Sequence, residues 1–270
     1  MKLYLSVDME GLWGVSSPEQ ITPGGREYQR GRTLMTQEVN LVIDLLYSHG
    51  VETILINDSH GTMDNILIEE LDQRVSLISG NDKPLGMMEG IDESFDAALF
   101  IGYHPRAMSE KGIFDHTYSG KLIQDVTVKG QSLGESGLNA RLAGAYDVPV
   151  IFISGDDTLC EQVNEEIGDI ETLAVKRTIS RYCAEHCSKD TLEADYREKI
   201  SNAIRRLQTI QPVKVEGPVN AEVAFKESVM TEGVLLHRGI ERMSPNRVMF
   251  ESKDYEAFYK TFRALIGLAR

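Results

Sequence analysis

The chain has little cysteine. Its three, Cys160, Cys183 and Cys187, are odd in number and contain no CxxC pair, which argues against a disulfide-framed scaffold and against a thiolate metal site. Reduced thiols are expected, and the spacing of Cys183 and Cys187 fits one helix face. Positive charge is also scarce. There are 28 Lys and Arg against 42 Asp and Glu, a net charge of −14, so neither nucleic acid nor an anionic membrane surface is an expected partner. No stretch approaches the ~20 continuous apolar residues of a membrane span. The opening MKLYLSVDME turns polar at Asp8 and Glu10, too early for a signal peptide and with no cleavage site behind it. It reads as a buried first strand of a cytoplasmic protein.

What is present suffices for a folded core. The 270 residues are 41% apolar and 26% charged, enough for one large domain or a core domain with a smaller companion. Lys2–Val7 is an apolar strand run. From about Glu27 to His49, Leu34, Val39, Val42, Ile43 and Leu46 recur at helical spacing, and Gly50 ends that helix. Strands are predicted at 53–56, 74–78, 97–101 and 148–153, with a helix over 134–146. Leu122–Val128 fits a hairpin or edge strand turning at Lys129-Gly130. Strands separated by helices imply βαβ units, hence an α/β fold with a mostly parallel sheet flanked by helices. The last part differs: a charged helix over 192–207, short strands at 212–217, 233–237 and 247–252, and a final helix over 255–268. The expected organisation is an α/β core over 1–160, a helical connection over 161–211, and a smaller mixed α/β C-terminal subdomain over 212–270.

Polar residues fall where the strands end. Asp8 and Glu10 follow the first strand, Asp58 and His60 the second, His104 a third, and Asp156 and Asp157 a later one. In an open parallel sheet such ends line one edge, where these folds bind ligands. Asp8 and Glu10, two apart in extended chain, leave the same face. Two crowded carboxylates repel, and a divalent cation relieves that. With two imidazoles they form a mixed N/O ligand set suited to zinc, and also to manganese or cobalt. Each residue also has a plainer role open to it, since a strand-end Asp can cap the next helix. Asp58, Asp156 and Asp157 are read as supporting residues that orient a histidine ligand or cap the next helix, and are left out of the catalytic set. Glu135 opens the helix in Gly134-Glu-Ser-Gly137, and His116 lies in the polar turn Phe114-Asp-His-Thr117, where a histidine can move a proton. His49, His186 and His237 carry weaker signals.

The pieces SVDMEG at 6–11, NDSHG at 57–61, LISG at 77–80, GYH at 102–104, GESGLNA at 134–140 and SGDD at 154–157, with AVKRTISR at 174–181, resemble the zinc-dependent D-aminopeptidase family, metallopeptidase family M55. The order and spacing of the set, rather than any single piece, carry the resemblance, which spans nearly the whole chain. It implies two Zn2+ per subunit held by five residues. Asp8 is shared by both ions, Glu10 and His104 serve one, and His60 and Glu135 serve the other. His116 matches the family's essential histidine, one residue late, with Met108–Gly112 holding the extra residue. The resemblance further implies a two-domain subunit, a homodecamer of stacked rings, and short peptide substrates with a free amino terminus, D-alanine dipeptides among them.

A paired metal site accounts for such chemistry physically. Two cations sharing a carboxylate can hold a bridging hydroxide and polarise the scissile carbonyl. His116 is then expected to shuttle a proton or to stabilise the tetrahedral intermediate. Asn139 is a candidate for hydrogen bonding to substrate. Two rival readings stand beside the peptidase. A two-metal phosphoesterase would call for a basic clamp, to which Arg106 alone is a visible contributor. A non-catalytic metal-stabilised scaffold would have no use for His116.

Overall fold

The computed structural model describes residues 1–269. In chain order the first half comprises β1 (Lys2–Val7), α1 (Pro18–Ile21), α2 (Tyr28–Ser48), β2 (Thr53–Asp58), β3 (Ser76–Ile78), β4 (Ala97–Ile101), β5 (Ile123–Val128), β6 (Gln131–Ser132) and α3 (Glu135–Ala145). The second half comprises β7 (Val150–Asp156), α4 (Asp157–Glu166), β8 (Glu171–Ser180), β9 (Cys183–His186), α5 (Lys189–Arg206), β10 (Val219–Phe225), α6 (Met230–Val234), β11 (Glu241–Ser244), β12 (Arg247–Ser252) and α7 (Tyr255–Leu268). No described helix is long and apolar enough to cross a membrane.

Seven strands form the main sheet in the order β3-β2-β1-β4-β7-β8-β9, parallel except for the edge strand β9. Leu3, Tyr4, Leu5 and Val7 are all fully buried, as a strand covered on both faces requires. The chain runs outward from β1 to β3 and then returns to place β4 on the other side of β1. The order of the sheet therefore reverses between β1 and β4, and a crevice opens outside their C-terminal ends. The strands end flush there, with Val7 paired to both Asp58 and Ile101.

Two glycines bring these ends unusually close. At Gly11 an added Cβ would lie 1.8 Å from the Tyr103 carbonyl oxygen. At Gly102, where φ is +71°, it would lie 2.4 Å from the Asp8 carbonyl oxygen. Only glycine fits either place.

A second, antiparallel sheet has the order β11-β12-β10-β5-β6. The predicted 122–128 hairpin is real, but it belongs to this second sheet, whose other strands all come from beyond residue 218. The two parts of the chain are thus interwoven. β8 and β9 meanwhile carry the main sheet on to His186. The final helix α7 buries Tyr255, Phe258, Tyr259, Phe262, Leu265 and Ile266 and packs against α3, β10 and β12.

Three local expectations fail. The strand predicted at 233–237 is the end of helix α6 and a following turn, because the run Val234-Leu-Leu buries only Val234 and leaves Leu236 87% exposed. Gly233 packs so tightly on α7 that a Cβ would stand 2.3 Å from the Leu268 carbonyl oxygen. Residues 212–217 form no regular strand and cross over α3 at Gly144. Cys183 and Cys187 share no helix: Cys183 lies on β9 and Cys187 just beyond it, and all three cysteines are unpaired.

Candidate active site

Asp8, Glu10, His60, His104 and Glu135 converge at the crevice. Asp8 and Glu10 arrive from the end of β1, His60 from the turn after β2, and His104 from the segment after β4. Glu135 comes from the first turn of α3, which the β5–β6 hairpin delivers to the sheet edge. None is more than 7% exposed. Five ionisable groups withdrawn from water would cost several kcal/mol each without charge compensation.

Each histidine has one nitrogen fixed by a backbone carbonyl. His60 Nε2 donates to the Ile21 carbonyl at 2.7 Å, which leaves Nδ1 facing Glu10 Oε2 at 2.8 Å and Asp8 Oδ1 at 3.3 Å. His104 Nδ1 donates to the Pro105 carbonyl at 3.0 Å. Its Nε2 lies 3.4 Å from both Asp8 Oδ2 and Glu135 Oε2, buried and without a hydrogen-bond partner. His116 Nδ1 donates to the Phe114 carbonyl at 2.8 Å, and its Nε2 stands 3.7 Å from Glu135 Oε1. In the neutral ring, an outward nitrogen held as N–H leaves the inward nitrogen a lone pair. Lone pairs aimed at carboxylate oxygens repel them unless a cation lies between. This is the arrangement by which backbone carbonyls orient metal-binding imidazoles.

The electrostatics make the same demand. Burial and the Glu10 carboxylate push Asp8 well above the usual carboxylate range. Burial acts on Glu10 too, but His60 overrides it and holds Glu10 well below that range. Burial disfavours a charged His104, yet Glu135 and Asp8 outweigh it and raise this group to about 10. The cluster thus holds on to positive charge, as protons or as metal. Two groups of ligand atoms fall within 4.8 Å of one another: Asp8, Glu10 and His104, and His104, His116 and Glu135. His60 lies against Glu10 and Asp8, apart from Glu135. The two oxygens of Asp8 face different histidines, Oδ1 towards His60 and Oδ2 towards His104.

His116 stacks on His104, with ring centroids 4.0 Å apart and planes 9° from parallel. Burial and the neighbouring His104 hold it below the ordinary histidine range. Its loop is strained, with Met108, Lys111, Phe114 and Tyr118 all at positive φ. At Tyr118 this conformation aims the backbone N–H at Glu135 Oε1, 2.6 Å away. The site opens into a cavity of about 370 Å³.

The other sequence candidates serve the scaffold. Asp58 accepts from the backbone of Asn65 and Ile66 and folds the turn that presents His60. Asp156 caps α4 and accepts from Ile113 and Thr178, while Asp157 accepts from the Thr178 backbone. Arg106 pairs with Glu166 at 3.0 Å and does not line the cavity. Asn139 is fully buried, donating to the Tyr103 hydroxyl and accepting from those of Tyr118 and Tyr259. His49 caps the end of α2, His186 accepts from the Gly14 backbone, and His237 is exposed in the turn after α6.

Sequence reasoning passed over Tyr118, Arg263 and Lys176. Tyr118 and Arg263 line the cavity. Lys176 is buried and its Nζ donates to the carbonyls of Glu10, Leu12 and Val15, clamping the loop that leaves the site. A readable signal existed for Arg263, which falls on the apolar stripe of α7, four residues after Tyr259 and three before Ile266.

A reversing parallel sheet with clustered carboxylates and carbonyl-pinned imidazoles at its switch point defines a metal-binding α/β protein of the hydrolase kind. Comparison with known proteins narrows this. The model of the M55 peptidase family, described as D-aminopeptidase, matches residues 1–264, and the chain belongs to that family. It is similar to the D-aminopeptidase of Bacillus subtilis (strain 168), 36% identical over all of this chain and 98% of the relative. Among solved structures it is similar to the Zn-dependent D-aminopeptidase DppA from Bacillus subtilis, described as a self-compartmentalizing protease. There the TM-score is 0.96 at 36% identity, covering 100% of this chain and 98% of the other.

Proposed function

We propose that this chain is a zinc-dependent aminopeptidase that removes the N-terminal residue from short peptides, D-amino-acid-containing ones included. The observation that carries the reading is the buried Nε2 of His104, left without a partner between the carboxylates of Asp8 and Glu135. Two zinc ions per subunit are assigned to Asp8, Glu10, His60, His104 and Glu135, with Asp8 shared; the family pattern gives Glu10 and His104 to one ion and His60 and Glu135 to the other, whereas here His60 faces Glu10 and His104 faces Glu135. The opposed outlook of the two Asp8 oxygens supports the sharing.

Zinc, when bound, supplies Lewis-acid polarisation of the scissile carbonyl and eases ionisation of water. The chain's own residues do the rest. His116, kept neutral near pH 7 and oriented by the Phe114 carbonyl, presents Nε2 as a proton acceptor at the cavity wall. It takes a proton from the attacking water and returns it to the leaving amine. Tyr118 supports Glu135 from its backbone N–H and is itself held by Asn139 and Tyr259, so the buried Asn139 positions that ring rather than touching substrate. The relative's self-compartmentalizing assembly supports a closed homo-oligomer, a decamer on the family pattern. Unpaired cysteines are in keeping with a cytoplasmic setting.

A panel of D- and L-alanyl dipeptides, amino-acid amides and phosphate esters, assayed with zinc and after chelation, tests the proposal. Zinc-dependent cleavage of D-alanyl dipeptides is expected. Turnover of the esters without the peptides would replace the reading with a phosphoesterase.

A further inference from the structure

Among the described residues lining the active-site cavity, Arg263 of α7 is the only lysine or arginine, set against the carboxylates of Asp8, Glu10, Asp82 and Glu135. Its Nε is buried and has no hydrogen-bond partner among the described residues. The side chain is nonetheless firmly seated. Its Cζ lies 6.0 Å from the centre of the Tyr118 ring, and at Gly86 a Cβ would stand only 2.9 Å from the same atom. A side chain at position 86 would displace the guanidinium, and glycine leaves the room. Tyr118 in turn reaches Glu135 through its backbone N–H, so one residue joins the guanidinium to the carboxylate cluster. The nearby Lys83 is no substitute, because its Nζ is taken up by Asn57 Oδ1 and the carbonyls of Asp58 and Ile78.

A buried guanidinium nitrogen without an anion is costly, and a planar fork of donors matches a carboxylate. Phosphate sites gather several cations, whereas here one guanidinium stands among four carboxylates, a setting that tolerates a monoanion far better than a dianion. The cavity volume, about 370 Å³, lies near the small end of ligand pockets and suits a peptide of two or three residues.

We propose that Arg263 receives the free α-carboxylate of the peptide substrate, so that the second sheet's helix α7 sets the C-terminal limit of what the zinc-facing residues cleave. This rests on the peptidase reading and deepens it. The enzyme recognises both ends of a short peptide, and Arg263 is the specificity determinant for the carboxyl end.

The test compares D-alanyl-D-alanine with D-alanyl-D-alaninamide on the wild-type holoenzyme, Arg263→Gln and Arg263→Lys. Turnover and calorimetric binding are both measured, together with zinc content and Tm. Wild type is expected to favour the free acid. Arg263→Gln should raise KM and Kd for the acid about ten- to hundredfold, the worth of a charge-assisted hydrogen bond at a buried site, and leave the amide within about threefold. Arg263→Lys should recover part of the acid preference. Equal loss on both substrates, or a wild type that does not distinguish acid from amide, overturns the proposal, and the wild-type comparison stands even if a variant fails to fold. Binding separates the two readings. Acid-selective binding that Arg263→Gln abolishes, with neither peptide cleaved, keeps the anchor and removes the peptidase. Cleavage without acid selectivity does the reverse.

Discussion

At the scale of single residues, His116 and Glu38 show how burial turns ordinary side chains to different uses. His116 stacks on His104 but is one-fifth exposed and belongs to a polar loop, so its truncation opens no core cavity. His116→Ala is therefore expected to keep its Tm and zinc while kcat falls about 10²–10⁴-fold with little change in KM. Zinc loss in step with activity would make it a ligand instead. Asp8→Asn should behave differently and leave at most one weakly held ion by elemental analysis, since both Asp8 oxygens face the cluster. Two tightly bound ions in that variant would refute the sharing. Glu38 lies away from the carboxylate–histidine cluster, accepting from the Tyr196 hydroxyl at 2.5 Å and the Trp13 backbone N–H at 2.9 Å. Burial raises it from 4.5 to about 7 despite these bonds. The folded protein thus binds a proton that the unfolded chain has already released. This group's contribution is full below about pH 4.5 and is lost as pH rises through about 7, an effect of about 3 kcal/mol. Glu38→Gln should gain stability relative to wild type between about pH 5 and about pH 8. A Tm difference that does not change with pH would sink this account.

At the scale of elements, the site depends on backbones that touch. Gly11 and Gly102 let the ends of β1 and β4 approach until the chain leaving one strand hydrogen-bonds that leaving the other, Gly11 N–H to the Gly102 carbonyl at 2.8 Å. That contact places Asp8 beside His104. Gly102→Ala combines a left-handed backbone with a clash against the Asp8 carbonyl, at a cost of about 2–4 kcal/mol. Its Tm should drop and its zinc content should fall with it. Unchanged zinc binding would mean that the strand ends tolerate separation. Lys176 holds the loop after Glu10 from the opposite side, through three carbonyls. It ties β8 to the site although β8 contributes no ligand.

At the scale of the whole molecule, the two sheets cannot be treated as independent parts. β5 and β6 leave the core to complete the second sheet, and α3 and α7 bring it back against the site. Assembly enters at this scale too. A closed ring repeats one heterologous contact about an axis, and each subunit adds a charge of −14, so the assembly should tighten as salt screens repulsion. Light scattering at physiological salt should give about ten subunits on the family pattern. A fully active, monodisperse monomer would exclude the ring.

The amino-acid order alone pointed to the parallel sheet and to the strand-end residues Asp8, Glu10, His60 and His104 that converge at its edge. Apolar strand runs stopping at Asp8, Asp58, His104 and Asp156 are local patterns, and their physical meaning survives without coordinates. The sequence leaves Asp58 and Asp156 open between orienting a histidine and capping a helix; Asp156 caps α4, while Asp58 folds the turn that presents His60. What it left undecided depends on contacts between distant segments. The run at 233–237 looks strand-like until α7 packs on Gly233. The membership of the 122–132 hairpin was invisible because its partners lie some ninety residues further on. Arg263 lies on the apolar stripe of the last helix, but only tertiary packing put it in the cavity beside Tyr118. The tautomers of His60, His104 and His116 were likewise decided by carbonyls that the folded backbone happens to bring within reach. Side-chain type is written in the sequence, whereas the partner of each polar atom is set by where the chain returns.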